Sequence, residues 1–184
     1  MNELKVGDCI PDFTLLDHEG TSCSKADVLG NPQIIYFYPK DNTPGCTKEA
    51  CGFNEKMDLL DDIGISVIGV SPDHIKSHQK FIEKQGLEFT LLSDPEKVMA
   101  KSFGALNEDN KIIRSTFLID EEGMVQWIEK PVKVSGHIDR VIDAIHQLQR
   151  ENKPGFGTIK KKYGNFLTLS FGQDANIDYD SHQK

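Results

Sequence analysis

Short runs of β-branched and aromatic residues alternate with longer stretches of helical period along most of the chain. Residues 33–38 (QIIYFY) and 66–70 (SVIGV) predict two buried strands, because short apolar runs rich in such side chains fit the interior of a sheet. Residues 44–63 between them predict a helix, with Thr43 as its N-cap and Gly64 as its stop. This alternation is typical of an α/β domain in which helices cover a central sheet.

Similar patterns predict the remaining helices and strands. Residues 71–86 predict a surface helix capped near Ser71 or Asp73 and ended by Gly86, residues 89–92 a short strand, and residues 96–103 a short helix. Residues 114–120 (RSTFLID) and 124–129 (MVQWIE), separated by EEG, predict a hairpin. Residues 136–149 place apolar side chains at helical spacing and predict a last helix packed on the sheet.

The domain organisation follows from length and composition. A chain of 184 residues suits one ordinary domain. We assign residues 1–150 to it and residues 151–184, rich in glycine, lysine and polar residues, to a C-terminal extension. Within the extension, the alternating stretch NFLTLSFG predicts either an added strand or a flexible segment.

Charge and hydropathy exclude several function classes. A net charge of −8 and a pI near 5.2 argue against nucleic acid or an anionic membrane as a partner, because both need a basic surface. The opening MNELKVGDCIPDF has no signal-peptide pattern, and no stretch approaches the roughly 18 apolar residues of a membrane span. The sequence therefore predicts a cytoplasmic protein.

Cys46 and Cys51 are the chemically informative pair. Four cysteines are too few for a disulfide scaffold, and a close pair in a reducing compartment is more often catalytic, redox-active or metal-binding. Cys9 and Cys23 have no partner at a diagnostic spacing and are predicted to be small, half-buried residues.

Two histidines also have a spacing that can bind metal. His74 and His78 lie four residues apart on the predicted surface helix, but no third ligand is evident. The sequence favours a solvent-exposed helix face over a metal site.

The segment around Cys46 carries a longer motif. Pro39, Thr43 and Cys46 form P-x-x-x-T-x-x-C after a buried strand, and Cys51 follows five residues later. This segment resembles the active site of peroxiredoxins, most closely the peroxiredoxin Q or bacterioferritin comigratory protein branch. GDCIPDFTLLDHEG is similar to that branch's opening hairpin, RSTFLID to its arginine strand and VSGHIDRVIDAI to its final helix. The resemblance covers residues 4 to 148 approximately.

The resemblance implies a thioredoxin-like fold, with a central mixed sheet flanked by helices, an N-terminal hairpin and a C-terminal tail. It implies reduction of hydrogen peroxide and organic hydroperoxides, with thioredoxin as the usual electron donor. By resemblance, Cys46 is the peroxidatic nucleophile and Cys51 the resolving cysteine, while Pro39, Thr43 and Arg114 form the activating pocket. We expect a monomer with no bound metal. Because no Gly-rich nucleotide motif is present, we expect reducing equivalents to come from a protein partner and not from a bound cofactor.

The residue types fit this chemistry. Peroxide reduction needs a thiolate, and the first turn of a helix favours one through free N–H groups and the helix dipole. Arg114 is the only cation between Lys111 and Lys130, so it could hold the thiolate and a peroxide oxygen, although an arginine at a strand end is commonly a surface charge. Thr43 could exchange hydrogen bonds with the attacked oxygen and Pro39 could exclude water, but both are also explained as helix cap and strand terminator.

Two other functions remain open at this point. A dithiol oxidoreductase would normally carry Cys-x-x-Cys, which is narrower than the pair here. A non-enzymatic binding or chaperone module could use Cys46 and Cys51 as a structural bridge.

The spacing of the pair makes a geometric prediction. Five residues on a helix separate the Cα atoms by about 8 to 9 Å with about 140° of rotation, whereas a disulfide needs about 7 Å or less. The bridge therefore requires the helix to unwind, and Gly45 and Gly52 are predicted to lower the cost of unwinding.

Overall fold

The computed structural model of the chain describes residues 3–156. Within these residues, one seven-stranded sheet has the order β2-β1-β5-β4-β3-β6-β7. The strands are β1 Thr14–Asp17, β2 Ser22–Ser24, β3 Gln33–Phe37, β4 Ser66–Ser71, β5 Thr90–Ser93, β6 Ser115–Ile119 and β7 Val125–Glu129. The helices are α1 Lys25–Val28, α2 Pro44–Asn54, α3 Met57–Asp62, α4 Ile75–Gln85, α5 Val98–Ser102 and α6 His137–Arg150.

The sheet is mixed, as predicted. β3, β4 and β5 run parallel to one another, and β6 pairs antiparallel with both β3 and β7. β1 and β2 form the N-terminal hairpin, and β1 pairs antiparallel with β5. The predicted hairpin of β6 and β7 is confirmed.

Helices cover both faces of the sheet, which explains why β3 is apolar at every position. Its alternate residues Ile34 and Tyr36 belong to a core cluster shared with α2, α3, α4 and α6. Ile35 and Phe37 point the other way, into a second cluster shared with α1 and α5. A strand that is buried on both faces does not alternate apolar and polar residues, which explains the continuous run QIIYFY.

The single helix predicted over residues 44–63 is two helices. At Lys56 the backbone amide bonds to the carbonyl of Phe53, three residues back, and α3 begins at the next residue. Phe53, Met57 and Leu60 are all buried, so the turn joins two helices that keep facing the same core. The apolar residues keep their helical spacing across this tightened turn, so the sequence pattern did not show where one helix ends and the next begins.

The helix predicted to be capped near Ser71 or Asp73 begins later, at Ile75, with His74 in the N-cap position. Ser71 belongs to β4, and the Asp73 side chain accepts hydrogen bonds from the Ser71 hydroxyl and from the amide of Asp41. Asp73 therefore ties two loops together instead of capping the helix. Gly86 ends α4 in the left-handed conformation, as predicted.

The packed part of the chain extends past the predicted boundary at residue 150. Phe156 is buried and joins the core cluster that contains Leu148 of α6. The predicted extra strand NFLTLSFG lies outside the described residues. Among residues 3–156, no helix is both long and apolar enough to cross a membrane.

Candidate active site

Helix α2 places Cys46 in its first turn, directly after the central strand β3. Thr43 occupies the N-cap position, and its carbonyl accepts the first helical hydrogen bond, from the amide of Thr47. Because Pro44 has no N–H, the first-turn amides that can face an anion are those of Gly45 and Cys46. Cys46 is 1% exposed, so its sulfur lies in a desolvated site at the positive end of the helix.

Sheet register brings Arg114 to the same place. β6 runs antiparallel to β3, and Ser115 at its start pairs with Phe37 at the end of β3. Arg114 directly precedes Ser115, so it lies beside the junction from which α2 departs. The nearest guanidinium nitrogen, Nη2, is 3.2 Å from Cys46 Sγ and donates a hydrogen bond to it.

Arg114 also lies close to the backbone of Gly45. A Cβ atom at this glycine would lie 3.5 Å from Arg114 Nη2, an ordinary van der Waals contact with the guanidinium. Packing alone therefore does not require a glycine at this position.

Arg114 is held in place by Glu49, one turn after Cys46. Arg114 Nη1 donates to Glu49 Oε2, so the two ends of the guanidinium bind the carboxylate and the sulfur separately. Burial lowers the pKa of Arg114, but the charges and hydrogen bonds of Glu49 and Cys46 raise it by more, to a net value above its usual range. The arginine is a fixed positive charge beside the sulfur.

Glu49 has a second partner that the sequence analysis missed. His137, at the start of α6, places its Nδ1 3.0 Å from Glu49 Oε1, although the two atoms are poorly aligned for a hydrogen bond. The other ring nitrogen, Nε2, is 3.0 Å from the hydroxyl of Thr116 on β6. Glu49 and His137 are each 1% exposed, so the carboxylate and the imidazole lie next to each other inside the protein.

Glu49 could have been found from its spacing. Cys46, Glu49, Ala50 and Phe53 follow the i, i+3, i+4, i+7 pattern of one helix face, and all four are buried. A carboxylate on the apolar face of a helix requires a buried cationic partner. The position of Glu49 therefore predicts a cation beside it, and that cation is Arg114.

The floor of the site is aromatic. The rings of Tyr36 of β3 and Phe53 of α2 pack in a tilted arrangement with centroids 4.9 Å apart, and both are buried. Burial, and then the negative charges of Glu49 and Cys46, raise the pKa of Tyr36 well above its usual range. The phenol therefore stays neutral and adds no charge to the site.

Thr43 and Pro39 lie on the segment that leads into α2. The Thr43 hydroxyl donates to the carbonyl of Lys40 at 3.0 Å, and within residues 3–156 it makes no side-chain hydrogen bond to the helix amides. Thr43 is thus an N-cap by backbone position only. Pro39 follows β3 and is exposed.

Cys51 lies toward the other end of α2 and has a different environment. It is half-buried, and its Sγ is 3.7 Å from Gln85 Oε1 at the end of α4. Both Cys46 and Cys51 are free thiols. The continuous helix Pro44–Asn54 contains both, which confirms the helical spacing on which the geometric prediction rests.

Gly52 lies where α2 packs closely against α6. A Cβ atom there would lie 2.7 Å from Cγ1 of Ile138, so the glycine allows α2 and α6 to approach closely. The prediction that Gly52 serves to lower the cost of unwinding is therefore incomplete.

The histidine pair is not a solvent-exposed face. His74 is exposed, but the His78 side chain is fully buried, 2.9 Å from Asp41 Oδ2. The spacing of His78 and Phe81, three residues apart, places both on the apolar face of α4 and is a signal of burial that the sequence analysis did not use. In the part of the chain that the structure describes, no group of three or more His, Cys, Asp or Glu side chains could hold a metal.

The two remaining cysteines differ from each other. Cys23 is half-buried, as predicted, whereas Cys9 is exposed and accepts a hydrogen bond from Lys25 Nζ at 3.4 Å. Burial, followed by the charges of Asp27 and Asp17, raises the pKa of Cys23.

Comparison with known proteins identifies the family of the chain. Residues 6–128 match the model of the AhpC/TSA family. A putative peroxiredoxin Bcp of Coxiella burnetii is 44% identical over 146 residues, covering 76% of this chain and 97% of the relative. Peroxiredoxin Bcp of Escherichia coli is 39% identical over 150 residues, covering 78% of this chain and 96% of the relative.

Solved structures give the same result. Xanthomonas campestris peroxiredoxin Q superposes with a TM-score of 0.71 at 39% identity, covering 73% of this chain and 90% of that one. The bacterioferritin comigratory protein of the same organism, studied for its alkyl peroxide reduction, has a TM-score of 0.72 at 36% identity, covering 76% and 98%. The predicted thioredoxin-like fold is confirmed by these neighbours. The chain belongs to the AhpC/TSA family, and within it to the Bcp and PrxQ peroxiredoxins, which are thiol peroxidases.

Proposed function

We propose that the protein reduces hydrogen peroxide and organic hydroperoxides at Cys46, that Cys51 resolves the oxidised intermediate as an intramolecular disulfide, and that thioredoxin or a similar dithiol protein reduces this disulfide. The observation that carries the proposal is the hydrogen bond from Arg114 to the Cys46 sulfur in the first turn of α2. The alkyl peroxide reduction studied for the Xanthomonas relative supports the inclusion of organic substrates.

The first step is displacement at a peroxide oxygen. The Cys46 thiolate forms an S–O bond while the O–O bond breaks, and the departing alkoxide or hydroxide takes a proton to leave as alcohol or water. Arg114 and the first-turn amides stabilise the negative charge that develops on the peroxide oxygens. Thr43 and Pro39 line the approach in this proposal, Thr43 through its hydroxyl and Pro39 by limiting water.

The second step forms the disulfide. The Cys51 sulfur attacks the Cys46 sulfenic acid, an S–S bond forms, and the hydroxyl group leaves as water with one proton. The two sulfurs start from different faces of one helix, so the turns between them must unwind before they can meet.

The third step regenerates the dithiol. An external thiolate attacks the disulfide and forms a mixed disulfide with one cysteine, while the other cysteine leaves as a thiol. The second thiol of the donor then attacks the donor's own sulfur and expels the remaining cysteine, so that Cys46 and Cys51 are reduced and the donor leaves as a disulfide. We propose that this chain works as a monomer in the cytoplasm, with residues 1–150 as the peroxidase domain and residues 151–184 as an extension.

Cysteine variants test the proposal. Reduced wild type, Cys46→Ser and Cys51→Ser are each mixed with one equivalent of peroxide, and the thiols are then mapped by mass. We expect a Cys46–Cys51 bridge in the wild type, no oxidation at this pair in Cys46→Ser, and a dimedone-reactive Cys46 in Cys51→Ser. Cys23→Ser is the control and should behave as the wild type.

A coupled assay with thioredoxin completes the test. Cys46→Ser should show no turnover, and Cys51→Ser should lose thioredoxin-dependent turnover while still consuming one equivalent of peroxide. Wild-type turnover by Cys51→Ser would reject the resolving role, and turnover by Cys46→Ser would reject the peroxidatic role. Disulfide exchange without peroxide consumption would favour a dithiol oxidoreductase, and inactivity in both assays a binding module.

A further inference from the structure

A buried carboxylate and histidine lie beside the segment that carries Pro39 and Thr43. Asp41 is in the middle of that segment, is 4% exposed, and is followed by Asn42 in the left-handed conformation (φ 57°). This segment joins β3 to the N-terminus of α2, so its conformation sets where Pro39 and Thr43 stand relative to Cys46.

Asp41 ties the segment to three other elements. Its amide donates to Asp73 Oδ2 at 2.9 Å, and its carboxylate accepts from the Tyr38 hydroxyl at 2.7 Å. The other carboxylate oxygen is 2.9 Å from Nδ1 of His78, on the buried face of α4. The second ring nitrogen of His78, Nε2, is 3.2 Å from the carbonyl oxygen of Leu92 on β5.

These contacts determine where protons must be. A carbonyl oxygen only accepts, so Nε2 carries a proton that it donates to Leu92. The Asp41 oxygen facing Nδ1 is a second acceptor when the carboxyl is ionised, so Nδ1 must then carry a proton as well. The pair is consequently an imidazolium and a carboxylate, or a neutral imidazole and a carboxylic acid.

The surroundings favour an ionised Asp41. Burial raises the pKa of Asp41, but the hydrogen bond and charge of His78, together with the hydrogen bond from Tyr38, lower it by more, to below its usual range. With Asp41 ionised, the hydrogen-bond geometry leaves the imidazolium–carboxylate form of the pair.

We propose that Asp41 and His78 are positioning residues of the peroxide site, which act by fastening the segment of residues 39–43 to α4 and β5 through a buried imidazolium–carboxylate pair. The proposal rests on the proposed function in that Cys46 is taken as the reacting thiol. Among the hydrogen bonds and ion pairs of residues 3–156, none joins Asp41 or His78 to Cys46, so the effect on the reaction is assigned to Pro39 and Thr43.

Nuclear magnetic resonance of the histidine rings tests the pair without reference to activity. In the reduced wild type at pH 7, we expect both ring nitrogens of His78 to carry protons, with the signals assigned by their loss in His78→Asn. In Asp41→Asn we expect a proton on Nε2 alone, because the amide can donate to Nδ1 and accept from Tyr38. A wild-type His78 with a single ring proton would overturn the proposal.

Peroxide kinetics test the positioning role. Asp41→Ala should slow the reaction of Cys46 with peroxide by about tenfold to a hundredfold, because the loop loses its anchor. Asp41→Asn should stay within about threefold of the wild type, since it keeps the same hydrogen-bond partners. His74→Asn, on the exposed side of α4, is the matched control and should match the wild type.

The outcomes separate the two proposals. A wild type whose Cys46 does not react with peroxide would reject the proposed function itself. A reactive wild type, combined with a folded Asp41→Ala that reacts equally fast, would reject the positioning role alone. If Asp41→Ala does not fold, the histidine ring protons decide the question: a wild-type ring with a single proton would overturn the proposal, and a doubly protonated ring that loses its Nδ1 proton in Asp41→Asn would support it.

Discussion

The two cysteines of helix α2 lie five residues apart and are held in opposite ways. Cys46 is 1% exposed and receives a hydrogen bond from an arginine that Glu49 fixes in turn. Cys51 is half-buried, and its sulfur is 3.7 Å from the side-chain oxygen of Gln85, a weak contact. One sulfur is therefore held by a charged partner in a buried site and the other by a single long contact, a difference that suits the attacking and resolving roles proposed for them.

The first way to break this contrast is to remove the arginine. Arg114→Ala should slow the reaction of Cys46 with peroxide by about a hundredfold to a thousandfold, because the charge opposing the developing anion is lost. The measurement is rapid mixing of reduced protein with peroxide, followed by acid quench and mass analysis of the thiols. Arg140→Ala, which removes an arginine from its pair with Glu129 at a more exposed site, is the control. An unchanged rate in Arg114→Ala would return Arg114 to a structural role.

The second way is to neutralise the group that holds the arginine. Glu49→Gln should slow the same reaction by about tenfold, since Arg114 loses the partner that orients it. It should also destabilise the reduced fold by about 3 kcal/mol, because a charge partner is removed from a buried pair. Chemical denaturation measures the stability. A slower reaction with an unchanged free energy of unfolding would mean that Glu49 affects the reactivity of Cys46 and not the stability of the fold. If neither the rate nor the stability changed, the role assigned to Glu49 would be contradicted.

The third variant is at Gly52, the residue that follows Cys51 in α2. In Gly52→Ala the new methyl group meets Ile138, and we expect a net loss of about 1 kcal/mol in the free energy of unfolding. The peroxide step should not change. In the background of Ile138→Ala, where the space is open, the same substitution should instead stabilise the protein by about 1 kcal/mol. The same sign in both backgrounds would contradict the packing explanation of Gly52.

The smallest effect is expected at Gln85. Gln85→Ala removes the one side-chain hydrogen bond that the structure gives the Cys51 sulfur within residues 3–156, and it should change the free energy of unfolding by less than about 0.5 kcal/mol. The rate of disulfide formation after peroxide addition should stay within about twofold of the wild type. A tenfold change in that rate would show that Gln85 holds or activates Cys51, and the contrast with Cys46 would be weaker.

The elements that the sequence predicted well are those whose signal is local. β3 and β4 are continuous apolar runs, and α6 has regular apolar spacing, so each pattern identifies its element without information about neighbours. The position of Cys46 in a first helical turn follows from the Thr-Pro-Gly sequence before it. Arg114 was placed by family resemblance and is explained by the register of β6 on β3.

The residues that the sequence analysis missed are buried polar groups. Glu49, His78 and His137 were not predicted to be buried, because their burial depends on partners distant in sequence. His78 is 37 residues from Asp41, and Arg114 is 65 residues from Glu49. Only the helical spacing of Glu49 and His78 with apolar neighbours hinted at burial, and that hint needs the partner before it can be interpreted.

Hydrogen exchange on the reduced and oxidised forms tests the central claim, that α2 must open for Cys46 and Cys51 to join. In the reduced protein the amides of residues 48–52 lie within a continuous helix and should be protected. After one equivalent of peroxide, with the Cys46–Cys51 bridge verified by mass, the same amides should exchange rapidly, whereas amides of β3 should remain protected. Equal protection of residues 48–52 in both forms would show that the disulfide forms without unwinding and would contradict the account.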